Sequence, residues 1–193
     1  MAQIFPTSYF GNLSYYTSLI QESSIIFEAK EHFIKQTYRN RCEVLTGNGI
    51  QAISIPVVRK NGSKTSIDEV EISNDTDWRK DHWKAIESAY SNSPYFDHYG
   101  IEVKELIYNQ ETNLLKFNEA IHNRICSWLG IEIKHLFSSE FMSHSVYQFN
   151  ENTSLKPYIQ VFGDLNSFSP NLSILDAVFC LGPMARKLLI NLI

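Results

Sequence analysis

The stretch "CEVLTGNGIQAISIPVV", residues 42–58, admits very few backbone shapes. Two apolar runs flank Gly47-Asn48-Gly49, and this glycine-rich turn supplies the positive φ angles that a tight reversal needs. The sequence therefore predicts a β-hairpin. Ile50, Ala52, Ser54 and Pro56 alternate with Gln51, Ile53, Ile55 and Val57. Apolar side chains thus fall on both faces, and much of the second strand is expected to be covered on both. A second turn, "RKNGSK", leads into "SIDEVEIS", where Ile67, Val70 and Ile72 predict a further strand of slightly irregular period.

Upstream of the hairpin, "QIF" is a short apolar run ended by Pro6, and "SSIIFEA" (23–29) is a second strand candidate. Between them Leu13, Tyr16, Leu19 and Ile20 recur at helical spacing behind Asn12, a suitable N-cap. Strand, helix, strand is the opening of an α/β unit. Downstream, Asp77 precedes a helical pattern from Trp78 that carries His82, Ile86 and Tyr90 on one face and closes at Pro94. Two more helices are expected near 101–108 and 112–129. The second buries Leu115, Ile121, Ile125 and Trp128 and is followed by Gly130. "IKHLFSSEF" and "YIQVFGD" read as strands, and helical character returns from Leu172, broken at Gly182-Pro183. The expected fold is α/β, a single domain over residues 1–193. It has a mixed or mostly parallel sheet with a β-hairpin in its N-terminal part, and helices predominate towards the C-terminus.

A length of 193 residues suits one well-buried core. The net charge of −4 argues against a nucleic-acid partner, which selects for a basic face. No apolar run reaches the length of a membrane span, so no membrane insertion is expected. Cys42, Cys126 and Cys180 are far apart, with neither metal-ligand nor disulfide-framework spacing. With no signal-peptide pattern at the start, the reading is a cytoplasmic protein with reduced cysteines and no metal. GxGxxG, the P-loop, HExxH and GxSxG are all absent, so no cofactor is named, and the oligomeric state stays open.

Three stretches carry candidate chemistry. "HFIKQTYRNRC" (32–42) sets Lys35, Arg39 and Arg41 among Gln36, Tyr38 and Asn40. Guanidinium forks and neutral donors beside aromatics suit an anionic or nucleotide-linked small molecule. The same residues equally suit a solvated strand edge paired with Glu31 and Glu43. His82 sits on an apolar helix face, as a satisfied core residue or as an acid–base group. In "FGDLNSFSPNLSILDAVF", Asn171 can cap a helix in which Asp176 is a lone carboxylate among apolar neighbours, paired structurally or poised for catalysis.

Four blocks in order, "YF…LSYY", "HFIKQTYRNRC" with "GNGIQAISIPV", "DWRKDHWKAIESAYSNSPYFDHY" and "YIQVFGDLNSFSPNLSILDAVFCLGP", resemble the WbqC-like protein family in its shorter form. The family takes its name from an O-antigen gene cluster. The resemblance therefore implies a bacterial transferase role in surface polysaccharide, acylating or aminoacylating an amino sugar. It supplies no established catalytic residues. It places Gln36, Arg39, Asn40, Arg41, His82, Asn171 and Asp176 inside family motifs. The expectation is an enzyme in which Lys35, Arg39 and Arg41 hold the anion while Gln36, Tyr38, Asn40 and Asn171 orient it. His82 or Asp176 then moves a proton. The alternative is a non-enzymatic protein with an aromatic-rich partner surface.

Overall fold

The structure is a computed structural model that describes residues 2–142, 156–165 and 167–190. Its elements run β1 (Gln3–Phe5), α1 (Leu13–Leu19), β2 (Ser24–Phe27), β3 (Arg41–Thr46), β4 (Gly49–Ser54), β5 (Val57–Val58) and β6 (Glu71–Ile72). There follow α2 (Trp78–Tyr90), α3 (Phe96–Ile107), α4 (Leu114–Leu129), β7 (Lys134–Phe137), α5 (Ile174–Leu181) and α6 (Ala185–Ile190). The N-terminal sheet is parallel in the order β1-β2-β7, with Ile4 opposite Ile26 and Ile26 opposite Leu136. The hairpin β3–β4 and the short pair β5–β6 are antiparallel and separate from it. The α/β expectation with its hairpin and later helices holds, although the strands form three small sheets among the described residues rather than one.

Local chemistry explains three helix boundaries. Asn12 Oδ1 accepts from the Tyr15 amide and Asn113 Oδ1 from the Lys116 amide, each satisfying a donor orphaned at a helix start. α4 stops at Gly130, whose φ of 61° the glycine adopts freely. The core runs between the helices and the sheets, with Tyr90 stacked on Phe179 at 5.0 Å and Trp78 edge-on to Phe117 at 5.9 Å.

Several sequence expectations change. β4 is not covered on both faces: Ile50, Gln51 and Ala52 are exposed and Ile53 is the buried position of the strand. Its partner β3 takes the core side through Cys42, Val44 and Leu45, leaving β4 outermost. "SIDEVEIS" is mostly a 3₁₀ turn over Ile67–Glu69, because Ser66 Oγ donates to Asp68 Oδ1 and the Glu69 amide reaches the Ser66 carbonyl. Such short side-chain bonds compete with extended backbone. "YIQVFGD" is a turn rather than a strand, closed by the Gly163 amide on the Gln160 carbonyl at 3.0 Å. The helix expected near 101–108 begins at Phe96. Asp77 occupies the cap position of α2 without a side-chain cap bond.

Gly182 follows α5 at φ 54° and ψ −128°, a region essentially reserved for glycine, and a Cβ there would stand 2.5 Å from the Tyr95 ring. Gly182→Ala should cost about 1–3 kcal/mol from backbone strain alone, with the ring clash added. Thermal melts followed by circular dichroism should show Tm falling by several degrees. Gly49→Ala, at φ 101° in open space, should fall less.

Candidate functional site

The segment 32–42 is the loop that leads from β2 into the first two residues of β3, and its cations are distributed among different surroundings. Arg39 forks onto Glu31, Nε to Oε1 and Nη2 to Oε2, both at 2.6 Å, with both side chains buried. A bidentate ion pair of this kind uses the face of the guanidinium that would otherwise take a ligand's anion. Asn40 Nδ2 donates to the Ile55 carbonyl at 2.8 Å, and Arg41 Nε to Ser54 Oγ at 3.2 Å. Tyr38 Oη donates to Glu43 Oε2 at 3.2 Å. Lys35 and Gln36 project at the exposed turn, with Gln36 at φ 59°. The loop thus brings no joint cradle of Lys35, Arg39 and Arg41 together.

His82 is buried on α2. Its Nδ1 lies 2.9 Å from Tyr9 Oη, Trp78 meets the ring edge-on, and a Ser54 backbone group bonds it. Burial pushes its pKa down to about 4. Asp176 is fully buried in the first turn of α5 and accepts from Tyr158 Oη and from Gln160 Nε2. Burial raises its pKa, and those donors together with the adjacent Tyr90 hydroxyl counter part of the rise. Asn171, at φ 60°, spends its Oδ1 on the Ser14 amide at 2.9 Å. Burial pushes the thiols up as well, Cys126 and Cys180 to about 12, so none is a ready nucleophile.

The polar cluster that the sequence reading missed lies at the carboxyl ends of the parallel strands, where α/β sheets place their ligands. Glu28, directly after β2, is fully buried and accepts from Ser138 Oγ at 2.6 Å, the Lys30 amide at 2.7 Å and the Met142 amide at 2.9 Å. Ser138, directly after β7, also receives the Ala29 amide, so the exits of the two strands are fastened together. Above this fastening opens a cavity of about 550 Å³. Lys30, Asp68 and Ser138 line one side of it. Lys116, Glu119 and Asn123, one face of α4, line the other. Lys30 is paired with Asp68, and Glu119 with His135 at 2.9 Å. His82, Asp176 and the 35–41 residues line none of this cavity. The available signal was "EAKEHF" following at once on a strand of an expected α/β unit.

The buried ion pair and the buried imidazoles make predictions of stability. Arg39→Ala should cost about 3–5 kcal/mol in urea denaturation, since Glu31 is left charged and unpaired. Arg39→Met with Glu31→Leu should recover most of that loss. His82 and His122, held at about 4 and about 3 by burial, have folded pKa values below that of an unfolded histidine. Their contribution is complete above the unfolded value and is lost as pH falls. Between pH 7 and 4 the protein should lose about 3 kcal/mol for each imidazole, and His82→Gln should remove one of the two contributions.

The family model described as the WbqC-like protein family matches residues 7–149. That span holds Lys30, Lys116, Glu119 and Ser138, whereas Asn171 and Asp176 lie beyond it. Rv1507c of Mycobacterium tuberculosis, named as an uncharacterized protein, is 36% identical over 103 residues. The match covers 53% of this chain and 44% of that protein, so the chain spans less than half the length of the relative. No solved structure matches. With the family match covering most of its length, the parallel opening, the hairpin and the carboxyl-edge cavity are those of a chain that belongs to the WbqC-like protein family.

Proposed function

We propose that the protein is a small-molecule transferase whose substrate occupies the cavity at the carboxyl edge of the β1-β2-β7 sheet. The observation that carries this reading is the lining itself. Lys30 with Asp68 on one wall and Lys116 with Glu119 on the other put both signs of charge along a cavity of about 550 Å³, a volume in the range of small-molecule sites. Mixed charge on opposing walls favours a substrate that carries both a cationic and an anionic group. An amino sugar linked to a phosphate or nucleotide has that pattern, and transfer of an acyl or aminoacyl group to its amine is the reaction class the family name suggests. Lys116, exposed and without a carboxylate partner among the described residues, is the anion-facing group. Tyr38, Arg39, Asn40 and Arg41 then act on substrate indirectly, by fixing the segment between β2 and β4, and Lys35 and Gln36 stay at the exposed turn. His82, Asn171 and Asp176 keep positioning roles in the core.

A non-enzymatic partner surface has one observation in its favour. Ile34 and Phe141, both more than half exposed, share a neighbouring cavity of about 360 Å³ with Lys30, Glu31 and His32.

A thermal-shift series with glucosamine, UDP-glucosamine, UDP-N-acetylglucosamine and acetyl-CoA separates these readings. Ligand at a hundredfold excess over its Kd stabilises by about 2.7 kcal/mol. UDP-glucosamine should raise Tm, and Lys116→Ala should reduce the shift while Lys35→Ala leaves it unchanged. A shift abolished by Lys35→Ala and indifferent to Lys116→Ala, or no shift with any compound, would overturn the assignment.

A further inference from the structure

We propose that Glu119 and His135 form the proton-accepting pair of the carboxyl-edge cavity, taking the proton from a primary amine bound there. The inference rests on the reading that this cavity holds an amine-bearing ligand. An ammonium group must lose a proton before its nitrogen can attack an acyl carbon, so an amine-acylating site needs a base within reach.

Four features converge on this pair. Glu119 lies on the face of α4 that lines the cavity, three residues from Lys116 and four from Asn123. Its Oε1 is 2.9 Å from His135 Nε2, while Oε2 has no protein partner among the described residues and is left for a ligand. The pair is only partly exposed, 29% for Glu119 and 16% for His135. Aromatic rings also flank the imidazole. Phe27 of β2 lies 5.2 Å from the imidazole and Phe137 of β7 lies 6.0 Å from it. The other imidazole in contact is His122, edge-on at 5.5 Å and kept neutral by burial, with a pKa of about 3. The remaining charged or polar neighbours on this side are Lys116 and Asn123 of α4, and Lys30, Asp68 and Glu111 across the cavity. His122 is therefore no competitor for a proton arriving at the wall.

The step balances within the site. The ammonium N–H bond breaks, its electron pair stays on nitrogen as the nucleophilic lone pair, and the proton passes through Glu119 to Nε2 of a His135 ring whose own proton is on Nδ1. The products are a neutral amine and an imidazolium–carboxylate pair, so one positive charge moves from ligand to wall without a counter-ion.

Nitrogen-15 NMR of the histidine side chains in the full chain tests this, with glucosamine as the probe and N-acetylglucosamine, whose nitrogen cannot carry the proton, as the control. The measurement is made about one pH unit above the His135 midpoint of the free protein, where imidazoles are mostly neutral. Glucosamine should convert His135 towards the imidazolium pattern and leave His122 neutral, and N-acetylglucosamine should leave both neutral. Glu119→Gln, close in shape and checked for an unchanged amide spectrum, should lose the response. If the amides of Lys116 and Asn123 shift with glucosamine while His135 does not respond, the pair is a structural tie and the proposal falls alone. If no amide of 116–123 moves, the cavity assignment falls with it.

Discussion

Every residue from Ile4 to Thr17 is buried, including the whole loop from Pro6 to Asn12 that joins β1 to α1. Loops normally lie at the surface because water satisfies their peptide groups, so a buried loop must find partners in the protein. This one draws them from three distant segments. The Tyr9 amide and the Ser8 hydroxyl both donate to the Tyr38 carbonyl. Asn118 of α4 donates to Thr7 Oγ1 and to the Arg39 carbonyl. Ser173 Oγ donates to the Phe10 carbonyl, and the Ile174 amide to that of Gly11. The hairpin's leading loop, the long central helix and the start of α5 are therefore held by one set of backbone obligations. Phe10, at φ 44°, is a bulky residue in the left-handed region that this set of bonds encloses.

That constraint accounts for the cation-rich loop. Its backbone serves the buried loop through Tyr38 and Arg39, which draws residues 38–40 inward. Once Arg39 is inside, its charge needs a partner, and Glu31 supplies a bidentate one. The side chains that remain outside, Lys35 and Gln36, are those furthest from the obligations. The polar groups left facing open space gather instead at the exits of β2 and β7, where Glu28 and Ser138 hold the two ends together.

What was legible in the sequence was local. The Gly47-Asn48-Gly49 turn, the Asn12 cap and the Gly130 stop each depend on a few neighbouring residues, and each takes its expected place. "YIQVFGD" failed because Tyr158 and Gln160 are turned towards Asp176, a tertiary demand that alternation does not encode. β4 failed because alternation reports which side chains are apolar and not which strand of a hairpin lies outermost. Arg39 could be read two ways, and its partner Glu31, eight residues earlier, was within view. The cavity was hidden for a different reason. Lys30, Glu119 and Ser138 lie on segments up to about a hundred residues apart, brought together by the parallel pairing of β2 with β7 and by the contact of Glu119 on α4 with His135 of β7.

The pairing of Asn12-Leu13-Ser14 with Asn171-Leu172-Ser173 has a further consequence during synthesis. The Leu13 amide waits for the Leu172 carbonyl, the Ser14 amide for Asn171 Oδ1, and the Phe10 carbonyl for a hydroxyl 163 residues away. On the ribosome the N-terminal loop cannot complete its bonds until residue 174 has left the exit tunnel. Until the later helices follow, α1 with its buried Tyr15 and Tyr16 lacks its packing against α5 and α6. Long-range closure of this kind slows folding and lengthens exposure of apolar surface. The loop is thus made 163 residues before the hydroxyl that closes one of its bonds, and its peptide groups stay incomplete for that interval.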